Sequence, residues 1–445
     1  MPAYHLLTFG CQMNINDSFW LSRSLKAHGF TEVTLEEAEI VLINTCAVRE
    51  KPEQKVLSTL QRIKALTKDH PKILVGVLGC VAQQLGSKLM QASSQVRLVA
   101  GPDALAQIPK ILERLLVEPN LTLSLLDFTT HYQERERDLT TPMGPSAYVN
   151  IMQGCDNFCT YCIVPYTRGR QKSRTKEAIL KECQEKIALG AKEITLLGQN
   201  VNAFGQDKAG DGTRFFELIA SLNELKGLER LRYTSPHPKD MTNEDILAFK
   251  TCAKLCPSLH LPLQSGSSKV LKRMARGYDR EYYLHLVARL KEACPSIALT
   301  TDIIVGFPGE TREDLEDTLS LMESLAYMSS FSFCYSDRQG CPAVKFLDKI
   351  PKEEQHLRLN LVQNLQEELT AKWLAQRKDQ ITTILLDSKS PRSTPLGTSW
   401  QGRDPYGTLV HLTFQDDSDH TGEMVKVKIS QVRKHCLIGE TLPLN

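Results

Sequence analysis

No excess of either charge marks this 445-residue sequence. Its 54 Lys and Arg stand against 52 Asp and Glu, a formal net charge of +2, so whole-chain electrostatics offer no argument for a nucleic-acid partner. No mainly apolar run exceeds residues 73–82, far short of the ~20 residues that a membrane-crossing helix needs. The start, Met1 to His5, has neither the basic nor the apolar region of a signal peptide, and a cytoplasmic protein is expected. In that compartment 13 cysteines do not read as a disulfide framework and turn attention to metal or redox use. Hydrophobic residues at 41% and charged residues at 24% are ordinary for a globular chain. The length predicts about two to four domains of roughly 100 to 200 residues each.

Cys155, Cys159 and Cys162 form a CxxxCxxC. A structural zinc site closes its tetrahedron with four protein ligands, yet no fourth Cys or His lies at knuckle spacing, Cys183 being 21 residues on. Three thiolates hold a 4Fe-4S cluster and leave one iron open for a ligand that is not protein. A zinc site and three incidental loop cysteines are the alternatives. The spacing, with Tyr161 before the third cysteine, resembles the radical S-adenosylmethionine (SAM) enzymes. The resemblance implies Cys155, Cys159 and Cys162 as cluster ligands, SAM chelated to the open iron and cleaved there to a radical, and Tyr161 beside the adenine.

Residues 1–126 alternate strand-like runs (4–9, 40–43, 73–78, 96–100) with helical patterns near 17–28, 53–68 and 103–117, the signature of an α/β domain with a parallel sheet. Cys11, Cys46 and Cys80 each follow one of the first three strands, 35 and 34 residues apart. In a parallel sheet those strand ends share one edge, where α/β sheets bind ligands, so the three thiols converge as a second cluster site. Gly10 and Gly79 allow the backbone a close approach there. Ordinary half-buried cysteines are the alternative. Cys183, Cys252, Cys256, Cys294, Cys334, Cys341 and Cys436 read as core residues or stray thiols.

Residues 127–146 read as a linker: a charge run at 133–138, then Pro142, Gly144 and Pro145. Residues 147–372 again alternate, with strands at 147–152, 193–197, 228–233, 259–263, 298–305 and 328–334 and helices between, which suits an open partial (β/α)6 barrel. Ligand groups come from strand C-terminal ends, so the cofactor candidates are Gln199, Asn200, Ser235, Gln264 and Gly306. After the cysteine loop, Arg168, Arg170, Lys172, Arg174 and Lys176 recur at every second position without an acid. Such a run reads as a solvated face or, beside a radical site, as phosphate contacts to RNA by Arg168, Arg170, Lys172 and Arg174. Residues 373–445, after a helix beginning near 352, carry short alternating segments at 381–386, 408–414 and 423–429 that suit a small antiparallel barrel. With nine Lys and Arg against eight Asp and Glu over 376–445, charge does not single that barrel out as an RNA module.

With both cysteine sets located, the chain resembles the methylthiotransferase family: an N-terminal three-cysteine domain, a radical SAM barrel and a C-terminal TRAM domain, in this order. Its branches modify isopentenyladenosine in tRNA, threonylcarbamoyladenosine in tRNA, or a ribosomal-protein aspartate. The wording around Cys11 (Gly10 to Asn14), around Cys46 (Asn44 to Glu50), at Leu197 to Asn202 and at Thr234 to Pro238 is similar to the first branch. That resemblance implies two 4Fe-4S clusters, two uses of SAM (methyl donor and radical source) and methylthio transfer to carbon 2 of the adenine. It also implies a tRNA anticodon stem-loop as partner; a reductant protein such as flavodoxin, no membrane and a monomer are further expectations. No general acid or base is called for. A non-enzymatic iron-sulfur RNA-binding regulator and a protein-modifying enzyme remain as other readings.

Overall fold

Cysteines at strand ends can meet only if the strands end level, and the N-terminal sheet meets that condition. The computed structural model describes residues 1–47, 50–66, 73–136, 140, 142–390 and 397–442, without the side chains of 50–53. Val48 and Arg49 of the second cysteine motif, Lys68 at the expected end of the second helix, Arg137 and Asp138 of the charge run, and Pro391 lie outside those residues.

Six parallel strands stand in the spatial order Thr31–Glu32, Ala3–Phe9, Ile40–Thr45, Leu74–Gly79, Val96–Ala100, Leu123–Leu125. Ile40–Thr45 and Leu74–Gly79 are buried at every residue because helices cover both faces. Val41, Ile43, Val75 and Val77 pack in one core and Leu42, Leu74, Leu78 and Leu98 in another, as the two-residue period of a strand requires. The two edge strands carry too few residues to show that period, and sequence reading missed them. Phe9 pairs with Thr45 and Thr45 with Gly79, so the three strands do end level. The chain leaves Ala3–Phe9 toward one edge and returns on its other side as Ile40–Thr45, a switch point of the kind that leaves a crevice. Cys11, Cys46 and Cys80 stand there.

The second unit is the expected open arc. Ser146–Asn150, Glu193–Leu197 and Arg230–Tyr233 form one parallel ladder, Ser258–His260, Ala298–Val305 and Ser329–Cys334 another, and a parallel bridge from Leu231 to Leu255 joins them. Thr242 and Thr311, each with an Asp three residues on, close capping boxes that start Asn243–Thr251 and Arg312–Leu325. Met152–Gln153 pairs antiparallel with Lys172–Ser173, and this ribbon presents residues 154–171 with the CxxxCxxC.

The long helix Lys352–Ala375 crosses the boundary expected at 372: Val362 and Leu369 belong to the barrel core and Leu374 to that of the C-terminal unit. That unit is a closed five-strand barrel in the order Ile381–Lys389, Thr398–Arg403, Leu409–Phe414, Leu437–Thr441, Met424–Val432. It is antiparallel except where Leu409–Phe414 runs parallel to Leu437–Thr441. Sequence reading found three of the five strands and a turn signal over Gly402 to Asp404. Gly402 instead lies within a strand, where a Cβ would meet the Leu385 carbonyl, and the turn follows at Asp404, whose Oδ1 accepts from the Tyr406 and Thr408 amides at 3.0 and 2.9 Å. Among the described residues no helix is long and apolar enough to cross a membrane.

The described part of the charge run between the first two units, 133–136, is exposed at Gln133, Glu134 and Glu136 yet is tied to both units by its polar contacts. Arg135 pairs with buried Asp17 at 2.8 Å, Glu134 takes Arg174 at 2.6 Å, and Glu136 accepts from the Trp20 indole N–H through its carbonyl at 2.5 Å. Deeper in the seam Asp103 accepts from Lys172 at 2.5 Å, from the Thr129 amide at 2.7 Å, and from Gln153. Replacing Asp103 by Ala strands the buried Lys172 charge, which costs about 3–5 kcal/mol. The expected result is a lower unfolding midpoint and faster proteolytic release of the N-terminal domain.

Candidate active site between two sets of cysteines

The N-terminal set is built without slack. A Cβ on Gly10 would strike Cys46 and Asn14, and one on Gly79 would strike Asn44 and the Thr45 carbonyl; both glycines have positive φ, 142° and 84°. Buried Asn14 and Asn44 hold the two loops together, Asn14 donating to the Asn44 carboxamide at 3.2 Å and Asn44 to the Asn14 carbonyl at 3.0 Å. Cys46 and Cys80 are buried, while Cys11 is open to solvent. The hydrogen bond with Cys46, and against burial the charge of Arg168, bring the Cys11 and Cys80 thiols down to about 6. Cys46, bonded to both, is pushed up. Two of the three sulfurs are thus held toward the thiolate form that ligates metal.

The barrel set hangs on a loop tied at both ends. The Cys155 amide donates to the Gly169 carbonyl at 3.2 Å, the Thr160 amide to the Met274 carbonyl at 3.0 Å, and the Ala343 amide to the Thr160 carbonyl at 2.9 Å. Burial pushes the Cys155 thiol up to about 11 and raises Cys162 further. Arg276, buried, donates to the Cys159 sulfur at 3.4 Å and to the Pro262 carbonyl at 3.2 Å. Neither Arg276 nor its stacking partner Tyr278 had any periodic signal in the sequence.

The expected cofactor residues lie around this loop in different roles. Tyr161 packs edge-on against Phe307, ring centroids 6.4 Å apart. Gln199 braces the loop: its Oε1 accepts from the Gly154 amide at 2.6 Å, and its Nε2 donates to the sulfur of Met13, two residues from Cys11. One side chain therefore touches both cysteine loops. Asn200 donates to Asp240 at 2.7 Å while its buried Oδ1 has no partner among the described residues. Ser235 and Gln264 are non-glycine residues with φ of 61° and 74°, strain of order 1–3 kcal/mol each that clusters at ligand sites. Gly306, φ 66°, gives its amide to the Glu310 carboxylate at 2.6 Å and takes Gln355 on its carbonyl at 3.2 Å. His237 was missed as a candidate although it lies in the quoted Thr234 to Pro238 stretch. Burial, with the charges of Arg276 and Lys239, pushes its pKa far down; Nδ1 accepts the Lys239 amide at 3.3 Å, and the buried Nε2 is unpartnered.

The basic stretch departs from expectation. Arg168, Lys172 and Arg174 are buried: Arg168 reaches Asp17 and Cys80, Lys172 reaches Asp103, and Arg174 reaches Glu134 and Glu182. They close the seam between domains and present nothing to a phosphate. Apart from Glu182, eight residues after Arg174, their acids come from distant segments, so the absence of acids within the run misled. Arg170 alone of the four points outward, its side chain 70% exposed, 3.1 Å from Asp156 and with its guanidinium 5.0 Å over the ring of Phe158.

Two thiol sets in one interdomain site, one of them a CxxxCxxC at the head of an open parallel barrel, define a radical SAM enzyme. Residues 149–322 match the Radical SAM superfamily, and residues 3–101 match an uncharacterized protein family, UPF0004. The barrel architecture is shared with a radical SAM methyltransferase from Kitasatospora setae solved with cobalamin and a [4Fe-4S] cluster (TM-score 0.54, 16% identity, 75% of this chain and 72% of that one). Over 98% of both chains the sequence is 52% identical to the tRNA-2-methylthio-N(6)-dimethylallyladenosine synthase of Nitratidesulfovibrio vulgaris strain Hildenborough. It is 50% identical to that of Lawsonia intracellularis over 99% of this chain and 98% of the relative. The chain belongs to this synthase family and is a radical SAM methylthiotransferase.

Its cofactors are SAM and two 4Fe-4S clusters. Among the described residues no three His, Cys, Asp or Glu side chains are gathered around one ion. What fits a cluster is the donor set: three thiols in each group, glycines that keep Cβ atoms out of the N-terminal loops, and a buried arginine on one sulfur of each set.

Proposed function

We propose that the chain adds a methylthio group to carbon 2 of N(6)-isopentenyladenosine beside the tRNA anticodon, with Cys155, Cys159 and Cys162 holding the SAM-binding cluster and Cys11, Cys46 and Cys80 the second. The observation that carries this is Gln199, which holds the barrel loop at Gly154 and the N-terminal loop at Met13 and so keeps the two sets in one site. When bound, SAM supplies a methyl group in one use and the hydrogen-abstracting radical in the other. The protein's part is to fix the two loops in register, to exclude water with the buried seam, and to admit one base. Ser235, Gln264 and the unpartnered Asn200 Oδ1 and His237 Nε2 are the groups left to orient SAM. Gly306 lines the same strand ends, and Tyr161 stands by the loop.

For RNA, the exposed trio at the mouth replaces the expected basic ladder. Phe158 and Tyr166, 37% and 39% exposed, meet edge-on at 6.1 Å, with Arg170 over the first ring. Aromatic faces beside a cation receive unstacked bases, and an anticodon loop offers them. Replacing Arg170 by Glu should weaken binding of an anticodon stem-loop and lower the slope of log affinity against log salt by about one. SAM cleavage without RNA should be unchanged.

The deciding experiment expresses the chain in a host lacking its own synthase and digests the tRNA for mass spectrometry. Appearance of 2-methylthio-isopentenyladenosine is expected. Unmodified tRNA together with a methylthio mass shift on a ribosomal protein would assign the chain to the other branch. We further propose a cytoplasmic protein reduced by a flavodoxin-like protein, a reading that the tRNA substrate and the one-electron chemistry support, and a monomer.

A further inference from the structure

Arg168 belongs to the radical SAM domain, six positions after Cys162, yet its side chain ends in the N-terminal cysteine site. It is 3% exposed. Nε donates to the Cys80 sulfur at 3.2 Å and Nη2 to the Asp17 carboxylate at 3.2 Å. Nη1 is buried and has no partner among the described residues. Burying a guanidinium nitrogen without a partner costs free energy, and in a cysteine site such a nitrogen is completed by an ordered water, an ion or a ligand.

The local charges point the same way. Asp17 is shared between Arg168 and Arg135, the latter at 2.8 Å, so this buried group carries two cations on one carboxylate. The surplus positive charge sits against Cys80, with Cys11 within reach of the same charge. The backbone adds a link: the carbonyl of the next residue, Gly169, accepts the Cys155 amide at 3.2 Å. One dipeptide thus fastens a sulfur of the N-terminal set through its side chain and a cysteine of the barrel set through its main chain.

We propose that Arg168 is the positioning residue for an anionic sulfur species, hydrosulfide or methanethiolate, carried at the N-terminal cysteine site: Nε fixes the Cys80 sulfur, and Nη1 donates to the incoming anion. The inference rests on the methylthiotransferase reading, since a sulfur must be held there before its transfer. It makes Arg168 a reader of sulfur and not of phosphate.

The test uses the full chain with both clusters reconstituted and SAM saturating the barrel cluster. Sodium sulfide and methanethiolate are titrated separately while the electron paramagnetic resonance of the N-terminal cluster and its midpoint potential are followed. Arg168→Gln should keep its iron, shift that potential to more negative values, and bind both probes at least about tenfold more weakly, the loss expected for a charged hydrogen bond. Arg168→Lys, which keeps the charge and loses the fork, should restore the potential more fully than the affinity. Unchanged potential and unchanged probe affinity in an iron-replete Arg168→Gln protein would overturn the proposal. So would loss of N-terminal iron from both variants in a folded protein, which would make Arg168 a structural residue only. These readouts do not involve RNA, so failure of the tRNA assignment would leave them standing and their failure would leave the tRNA assignment intact.

Discussion

Replacing Cys155, Cys159 and Cys162 together by Ala should abolish SAM cleavage and leave about half of the roughly eight irons of the reconstituted protein, four for each cluster. The loss should be complete because, among the described residues, Cys341 near Cys162 and Cys183 of the same unit are packed away. Cys183 is fully buried in the barrel core, and Cys341 packs in the core shared with the N-terminal sheet. The remaining iron should stay, since Cys11, Cys46 and Cys80 stand at the strand ends of a separate sheet, most of whose core residues come from the N-terminal unit itself. Iron and sulfide counting beside a 5'-deoxyadenosine assay reads both effects. A triple variant with its full iron content would remove these three residues from the ligand set.

The complementary change, Cys11, Cys46 and Cys80 to Ala, should separate cleavage from transfer. With dithionite as reductant, 5'-deoxyadenosine should still form, because the contacts that fix the cysteine turn itself, Thr160 with Met274, Arg273 and Ala343 and Cys159 with Arg276, lie within the barrel unit, and the loop's links to the N-terminal unit run through Arg168, Ile163 and Gln199. No methylthio product should appear in tRNA. A folded variant that keeps the barrel cluster yet cleaves no SAM would show that the N-terminal site takes part in the radical step itself.

Both cysteine sets were legible in the sequence because each rests on a local rule. The CxxxCxxC is a spacing, and Cys11, Cys46 and Cys80 follow apolar runs whose strand character is plain and whose parallel register brings their ends level. The barrel strands were legible for the same reason, and strand ends led to Ser235 and Gln264 as candidates, both of which have positive φ. What stayed hidden depends on partners far away in the chain. Arg168 meets Asp17 across 151 residues and Lys172 meets Asp103 across 69, so a run of cations that looks like a solvated ladder is a buried seam. Arg276 shares that character in its contact with the Cys159 sulfur, 117 residues away, whereas the missed strands Thr398–Arg403 and Leu437–Thr441 pair with strands beside them in the chain.

The junction with the C-terminal barrel is held largely by main-chain atoms. Arg230 donates to the carbonyls of Arg403 and Thr383 at 2.7 and 2.6 Å, and Arg232 to those of Pro405 and Asp404, both at 2.9 Å. Carbonyls are present whatever side chain stands beside them. Apart from Asp404, whose carboxylate also takes Arg377 at 3.0 Å, the outer residues of that barrel are therefore free to drift without altering its pose. An evolving lineage can change this surface while the span from it to the cysteine sites stays the same.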